Sequence, residues 1–561
     1  MKLLIVGGVA GGASAAARAR RLNENAQIIM FEKSGYISFA NCGLPYHIGS
    51  VIEDRQALLV TSPQEMSEKF NIDVRIKSEV TAIDRAKKQL EVKELETGRC
   101  YSESYDYLIL SPGAAPIVPP IDGIDLNGVY SLRNIEDMDK IINAIKGKNS
   151  AVVVGGGYIG LEMAEALREK NMSVSLVELA SQVMGPADAE MATMLHSEIR
   201  QKGVDLRLNQ AVSALKKSGD QLEVMLNNKQ TLKSDVVIMA IGVRPENALA
   251  KDCGLEIGET GGVKVDASMQ TSDKSIFAVG DAVEIEDFNT KKPALIPLAG
   301  PANRQGRIAA DNIMGKKRSY LKTQGSAVCK VFDLTFAMTG LSEKQAKKNS
   351  IAYDKVYVHP ASHASYYPGA NFVSLKMLFN PEDGRVLGAQ AVGLGGVDKR
   401  IDVMAVAIRA KMSVFDLEEL ELVYAPPYGS AKDPVNYAGF VAANILRNDA
   451  KHIFAEDIDK LDKDYQLLDV RTQEEVDAGK IDGAFAIALH TLRERLDELD
   501  KNKTYVVYCH AGLRGYLACR ILSQKGFKAL NLDGGYLTYQ MVKQSAVYDK
   551  AFVSDDAGAG G

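Results

Sequence analysis

Two glycine-rich turns, each set between a short apolar run and a helical stretch, limit what this chain can become. Leu3 to Val6 reads as a buried strand, Gly7-Gly8-Val9-Ala10-Gly11-Gly12 as a tight turn, and Ala13 to Leu22 as a helix. Ile28 to Phe31 then forms a second strand that ends at Glu32. This is a βαβ unit with an acidic residue about 20 positions past the last glycine. Small residues at Gly7, Ala10, Gly11 and Gly12 let the backbone approach a pyrophosphate, whose charge the helix N-terminus stabilises. Glu32 would accept from ribose hydroxyls. Val9 stands where the middle glycine of the fingerprint belongs, so this match is imperfect.

The second unit is complete. Ala151 to Val154 is a strand, Gly155-Gly156-Gly157-Tyr158-Ile159-Gly160 the turn, and a helix runs from Leu161. The next strand, Ser173 to Val177, ends at Glu178. Gly155, Gly157 and Gly160 fill all three fingerprint positions. Glu178 favours a free 2′-hydroxyl and repels a 2′-phosphate, and no arginine immediately follows it, which favours NADH and leaves NADPH open.

At 561 residues the chain should hold three to four domains. The net charge of −5 argues against bulk nucleic-acid binding. Six cysteines lie scattered without disulfide-framework or zinc spacing, which points to individual thiols in a reducing compartment and to no metal site. The apolar start, Leu3-Leu4-Ile5-Val6, is broken at once by Gly7-Gly8 and reads as a first strand rather than a signal peptide. No run approaches the ~20 apolar residues of a membrane span. A cytoplasmic enzyme with no membrane partner follows.

Chemistry enters at Cys42, in Ser38-Phe39-Ala40-Asn41-Cys42-Gly43-Leu44-Pro45-Tyr46. A redox-active pair in a flavin disulfide reductase would usually be Cys-x4-Cys, but here His47 occupies the second position. A lone thiol must find its sulfur partner elsewhere, most simply on a small-molecule thiol. Buried, isolated cysteines are ordinarily inert, but Asn41, Gly43 and the upstream nucleotide unit argue for a reactive one. Local backbone donors and the field of a flavin are the two influences that would lower its pKa. A third patch, Thr271 to Asp281, resembles the second flavin motif of two-dinucleotide flavoproteins, in which the aspartate (here Asp281) binds the ribitol of FAD. Ser111-Pro112-Gly113 and Gly242-Val243-Arg244-Pro245 resemble the crossovers between FAD and NAD domains. Two nucleotide sites imply a relay from nicotinamide through FAD to the sulfur of Cys42.

From Ser38 to Tyr46, and over nearly its whole length, the chain resembles the coenzyme A disulfide reductases fused to a rhodanese domain, a set that includes NADH-dependent persulfide and polysulfide reductases. The resemblance implies an α/β fold with two Rossmann-like dinucleotide-binding domains, for FAD and NAD, an α+β dimerisation domain, and a C-terminal rhodanese α/β domain. The implied boundaries are 1–110 and 242–325 for the two parts of the FAD domain, 111–241 for the NAD(P)H domain, 326–446 for dimerisation and 455–545 for rhodanese. It makes Cys42 the nucleophile that forms a mixed disulfide with coenzyme A, with Ser38 and Asn41 lining the substrate sulfur. Ser14, Arg18 and Arg21 on the first helix would meet the nucleotide and phosphates of coenzyme A, with Lys69 a weaker candidate. Arg18 and Arg21 are three apart and share a helix face. Tyr424 and Lys432, from Tyr424 to Lys432, and Tyr366 in preference to Tyr367, would approach the partner subunit's site in a homodimer, the tyrosines hydrogen-bonding or protonating the departing sulfur. Peroxidase and oxidase relatives carry a histidine in the first glycine turn, where this chain has Ala10.

Between these regions, Leu375 to Phe379 and Val386 to Val392 read as a hairpin across Pro381-Glu382-Asp383-Gly384, and Val403 to Ala410 as a helix. A linker near Arg447 to His452 leads to Leu467-Leu468-Asp469-Val470-Arg471, a strand with an Asp-x-Arg of structural type. Tyr505 to Tyr508 feeds the loop Cys509-His510-Ala511-Gly512-Leu513-Arg514. Successive backbone N–H groups in such a loop suit a thiolate or persulfide. Cys-x4-Arg matches rhodaneses, and Cys-x5-Arg the wider loop of related phosphatases, so Cys509 is expected to carry sulfane sulfur with Arg514 beside it. Cys519 reads as structural and Asp555 to Gly561 as a disordered tail.

The expected function is transfer of electrons from NADH through FAD and Cys42 to persulfide, polysulfide or coenzyme A disulfide sulfur. The alternatives are an NADH oxidase or peroxidase using a Cys42 sulfenic acid, and a sulfur-carrier or redox-sensing protein.

Overall fold

The computed structural model describes residues 1–461 and 464–556, with side chains to 548. It divides into two compact units, residues 1–177 with 211–324, and residues 178–210 with 325 onward.

In the first unit, Lys2–Val6 is the middle strand of a five-stranded sheet. Gln27–Phe31 and Tyr107–Leu110 flank it, Asp73–Arg75 and Ile276–Ala278 form the edges, and every pair is parallel. A strand buried on both faces must be apolar throughout, and Leu3, Leu4 and Ile5 are fully enclosed. A second parallel set runs Ser173–Val177, Ser150–Val154, Val236–Met239 and Val129–Ser131. Both βαβ units therefore form as read. Both helices begin three residues earlier than expected, at Ala10–Leu22 and Tyr158–Glu169, because the last turn glycines adopt helical backbone. A Cβ on Gly12 would sit 1.9 Å from the Gly7 carbonyl oxygen, and one on Gly160 1.9 Å from that of Gly155. The strands Ala114–Pro116 and Val243–Pro245 pair antiparallel, which joins the two crossover segments.

The second unit contains an antiparallel sheet in the order Ala327–Val331, Leu334–Gly340, Val386–Gly393, Val373–Phe379, Asp354–Val358. The expected hairpin is its centre. The helix expected from Val403 starts at Val397 and ends at Ala410. Every residue of Val373–Phe379 is buried, Lys376 included. Its ammonium lies 2.8 Å from Asp188, 2.6 Å from Glu190 and 2.7 Å from Glu343. Burial would push Lys376 down, but these carboxylates and Tyr357 outweigh it and hold it well above the ordinary lysine value. The trio has the spacing of a metal cage, and the ammonium fills its centre.

A parallel sheet follows, in the order His452–Ile453, Lys528–Leu532, Thr504–Tyr508, Tyr465–Asp469, Phe485–Ala486. Its first strand begins before residue 455. The last helix, Gly535–Asp556, passes residue 545 and takes in Asp555 and Asp556, which corrects the expected tail there. The remainder of that tail, 557–561, lies outside the described residues.

Candidate active site

Cys42 sits in a 3-10 turn, Asn41–Gly43, that runs directly into the helix Leu44–Ile48. It is exposed, as is Asn41. Desolvation by the surrounding protein, then the charges of Glu162 and Asp281, push its thiol above the ordinary value. A backbone hydrogen bond lowers it, as expected, but desolvation and these two charges outweigh that bond. Glu162 is held by the Tyr46 hydroxyl, which donates at 3.2 Å, and desolvation lifts its carboxyl to about 7. Sequence reading missed Glu162, although it lies on the helix that opens at the second glycine turn. All six cysteines are free thiols, so Cys42 has no disulfide partner.

Ser38 has a left-handed backbone, φ 46°, and its N–H donates to the Gly8 carbonyl at 2.8 Å. This ties the Cys42 segment to the first glycine turn. Ser38 also lines a cleft of about 390 Å³ with Ser14, Arg21, Asn303, Arg304 and Arg307. The cleft rests on two helices, Ala10–Leu22 and Ala299–Ile313, pressed so close that a Cβ on Gly306 would lie 2.2 Å from the Gly11 carbonyl oxygen. Ser14 donates to Asn303 at 2.8 Å across them. Three arginines lining one cleft suit a polyphosphate. Arg304 and Arg307 were missed, and their signal was an i, i+3 spacing like that of Arg18 and Arg21. Arg18 turns instead to Asp311, at 2.7 Å, and Lys69 is exposed and paired with Glu65 at 2.8 Å; neither lines the cleft.

The first glycine turn fits a dinucleotide. Gly7 has φ +95°, and a Cβ there would meet the Ser111 carbonyl oxygen at 2.1 Å. Glu32 accepts from the N–H of Gly8 at 2.9 Å and of Ser34 at 2.8 Å, and each carboxylate oxygen retains a lone pair for a ribose hydroxyl. Ala10 begins the helix. Asp281, half-buried in the turn Gly280–Ala282, is pushed up by desolvation, which the charge of Arg133 offsets only in part. At the second turn, Gly155 has φ +106°, while a Cβ on Gly157 would project into open space, where a phosphate can approach the helix N-terminus. Glu178 belongs to the second unit, and its carboxylate accepts from the Ala180 N–H at 2.7 Å.

In that second unit the hydroxyls of Tyr366 and Tyr424 meet at 3.0 Å, and this bond raises the Tyr366 phenol. Tyr366 is 75% exposed. Tyr367 instead packs edge-on to His363, and Lys432 is exposed nearby in sequence.

Cys509 is buried at the end of Thr504–Tyr508, and the Gly512 N–H donates to its sulfur at 3.2 Å. Arg514 forms a two-pronged pair with Glu475, both bonds 2.6 Å, which raises the guanidinium and pulls Glu475 down to about 2. The Asp-x-Arg is structural: Arg471 is buried, bonds Asp469 at 2.7 Å, and lies over the Tyr536 ring. Cys519 is buried in the core of this region.

The family profile for pyridine nucleotide-disulphide oxidoreductases matches residues 1–306, that for their dimerisation domain 326–433, and that for the rhodanese-like domain 454–541. Among curated relatives, a NADH oxidase of Methanocaldococcus jannaschii is 36% identical over 80% of this chain and 100% of its own. A coenzyme A disulfide reductase of Staphylococcus aureus is 34% identical over 79% of this chain and 99% of its own. Among solved structures, the reduced Bacillus anthracis CoADR-RHD superposes with a TM-score of 0.94 at 48% identity, covering 96% of this chain and 98% of that one. A NAD-dependent persulfide reductase from A. fulgidus gives 0.91 at 38%, covering 96% and 100%.

Proposed function

Given that the chain belongs to the pyridine nucleotide-disulphide oxidoreductase family and carries a rhodanese-like domain, we propose that it is an NADH-dependent flavoprotein that reduces persulfide and disulfide sulfur borne on coenzyme A. The observation that carries this reading is the cleft lined by Arg21, Arg304 and Arg307, which shares Ser38 with the Cys42 segment. A phosphate-bearing thiol held there by its charged end can extend a sulfur toward Cys42. The names of the similar reductases support coenzyme A as that thiol. Glu178, with Leu179 and Ala180 after it, supports NADH over NADPH.

Bound FAD supplies two electrons drawn from the nicotinamide. The Cys42 thiolate attacks the inner sulfur of a coenzyme A persulfide, forming a mixed disulfide and releasing hydrosulfide. Two electrons and a proton then cleave that disulfide to coenzyme A thiol and the Cys42 thiolate. Tyr366 and Tyr424, joined by their hydroxyls, donate to the departing sulfur. In a homodimer they serve the partner subunit's site, and the exposed Val423, Tyr424 and Tyr428 belong to the surface it covers. Cys509 takes sulfane sulfur, with the Gly512 N–H on its charge, and passes it to coenzyme A. No described helix is long and apolar enough to cross a membrane. Six free thiols suit the cytoplasm.

The test is anaerobic NADH oxidation with coenzyme A persulfide and coenzyme A disulfide side by side, with sulfide quantified. One sulfide per NADH on the persulfide is expected, abolished in Cys42→Ser. A Cys42→Ser enzyme that still reduced persulfide at the normal rate would defeat the mechanism. Failure on both substrates, with stoichiometric oxygen uptake when the assay is repeated in air, would favour the oxidase reading that the archaeal relative's name suggests.

A further inference from the structure

The sulfur loop of Cys509 does not stand alone. The turn Asp533-Gly534-Gly535 folds back over it, and the N–H groups of Tyr536 and Leu537 donate to the carbonyls of Cys509 at 2.8 Å and His510 at 3.0 Å. A Cβ on Gly535 would lie 2.5 Å from the Cys509 carbonyl oxygen, so no side chain can intervene. This turn is in turn fastened to the neighbouring antiparallel sheet. The Tyr357 N–H donates to Asp533 at 2.6 Å, and a Cβ on Gly534 would touch Tyr357 at 2.8 Å. His359, just past the strand Asp354–Val358, bonds Thr538 through Nε2 and Ser374 through Nδ1, both at 2.8 Å. His359, Ser374 and Thr538 are all buried. The His510 ring itself lies 6.3 Å from that of Phe372, the residue before the strand Val373–Phe379. Burial, and then the charge of His510, depress His359 to about 3, so at neutral pH it has one N–H and one acceptor nitrogen.

No step of the proposed chemistry uses His359, yet its two ring bonds link the antiparallel sheet to the helix that covers the sulfur loop. We propose that His359 is a positioning residue for sulfur transfer: through Thr538 it fixes the first turn of the helix Gly535–Asp556, whose N–H groups hold the Cys509 and His510 carbonyls and thereby aim the Gly512 N–H at the reactive sulfur. The proposal rests on the reading of Cys509 as a sulfur carrier.

The test uses the full-length FAD enzyme. Sulfur transfer is measured with coenzyme A persulfide as donor and cyanide as acceptor, corrected with Cys509→Ser. In that reaction the Cys509 thiolate takes the outer sulfur and releases coenzyme A thiol; cyanide then removes the sulfur as thiocyanate and restores the thiolate. NADH-dependent reduction of coenzyme A disulfide, which does not need Cys509, is measured in parallel. His359→Ala is expected to lower the kcat of sulfur transfer about tenfold, the scale of one buried hydrogen bond, with disulfide reduction unchanged. His359→Gln, which replaces the Nε2 contact to Thr538, should restore it, and His359→Asn, which replaces only the Nδ1 contact, should not. Thr538→Val tests the same link from the other side without altering the imidazole. The proposal is overturned if sulfur transfer is unchanged in both His359→Ala and Thr538→Val, if both activities fall together, or if Asn rescues as well as Gln. A wild-type enzyme with no Cys509-dependent transfer would instead sink the carrier reading itself.

Discussion

Replacing Lys376 by methionine would test how the antiparallel sheet tolerates a charge in its centre. The ammonium is fully buried and touches three carboxylates at 2.6 to 2.8 Å. Methionine keeps the length of the side chain and deletes the charge, leaving Asp188, Glu190 and Glu343 without their shared cation. Breaking a buried ion pair from one side costs about 3–5 kcal/mol, and each kcal/mol moves the midpoint roughly 2–4 °C in a body of this size, so the transition should fall by about 10 °C. The loss also has a pH signature. Burial pushes Asp188 and Glu343 up, but Lys376 outweighs it, so in the parent protein both lie below their ordinary values. Their contribution is full above the unfolded carboxylate value and is lost only as pH falls through the folded one. In Lys376→Met, Asp188 loses its ammonium while still desolvated and rises above the ordinary value, whereas Glu343 keeps Lys355 and Lys347, so the Asp188 contribution to stability now falls as pH increases through the folded value. The gap between variant and parent should widen from pH 5 to pH 8, by about 1.4 kcal/mol per pH unit for each carboxyl still protonated in the folded variant. The chain has no tryptophan, so circular dichroism of the FAD-loaded enzyme is the suitable probe. A deficit below 1 kcal/mol, or one that narrows as pH rises, would refute the reasoning.

The cleft and the thiol offer two shorter tests. Arg304→Ala and Arg307→Ala should each raise KM for coenzyme A disulfide about 10- to 100-fold, the worth of one charge-assisted hydrogen bond, and leave kcat closer to normal; an unchanged KM would remove the phosphates from this cleft. Glu162→Gln should speed alkylation of Cys42 above pH 7, where the parent's Glu162 ionises and pushes the thiol up, and converge with the parent well below it; equal rates across the range would separate Glu162 from the thiol.

Much of the site was legible because its signals are local. The glycine fingerprints report a backbone approach that only a missing Cβ permits, and Cys42, Cys509 and Arg514 stand in short segments whose spacing matters. Tyr366 and Tyr424 were paired by resemblance alone, and their 3.0 Å bond brings them together from 58 residues apart. What escaped reading depends on distant segments. Arg304 and Arg307 gain meaning only when Gly306 lets their helix lie on Gly11. Arg18, on the expected face, turns to Asp311, which no spacing rule reveals. Lys376 interrupts an apolar strand, and nothing local to it reveals the three carboxylates from distant segments that meet it. The early start of both turn helices is another such case, because glycines that terminate an isolated helix can begin one when strand and turn enclose them.

The fastening of the Asp533–Gly535 turn to Tyr357 and His359 bears on how such an enzyme can be taken apart or recombined. The linker near residues 447–452 separates the rhodanese-like region along the chain, yet the turn and helix that cover its sulfur loop are held by Tyr357 and His359, about 90 residues upstream of that linker. A carrier domain cut free at that linker would expose Asp533 and Thr538 to water, and one grafted from another protein would meet a strand end shaped for a different turn. The junction is a seam in sequence and a continuous solid in packing, so exchange of the carrier must bring its landing strand with it.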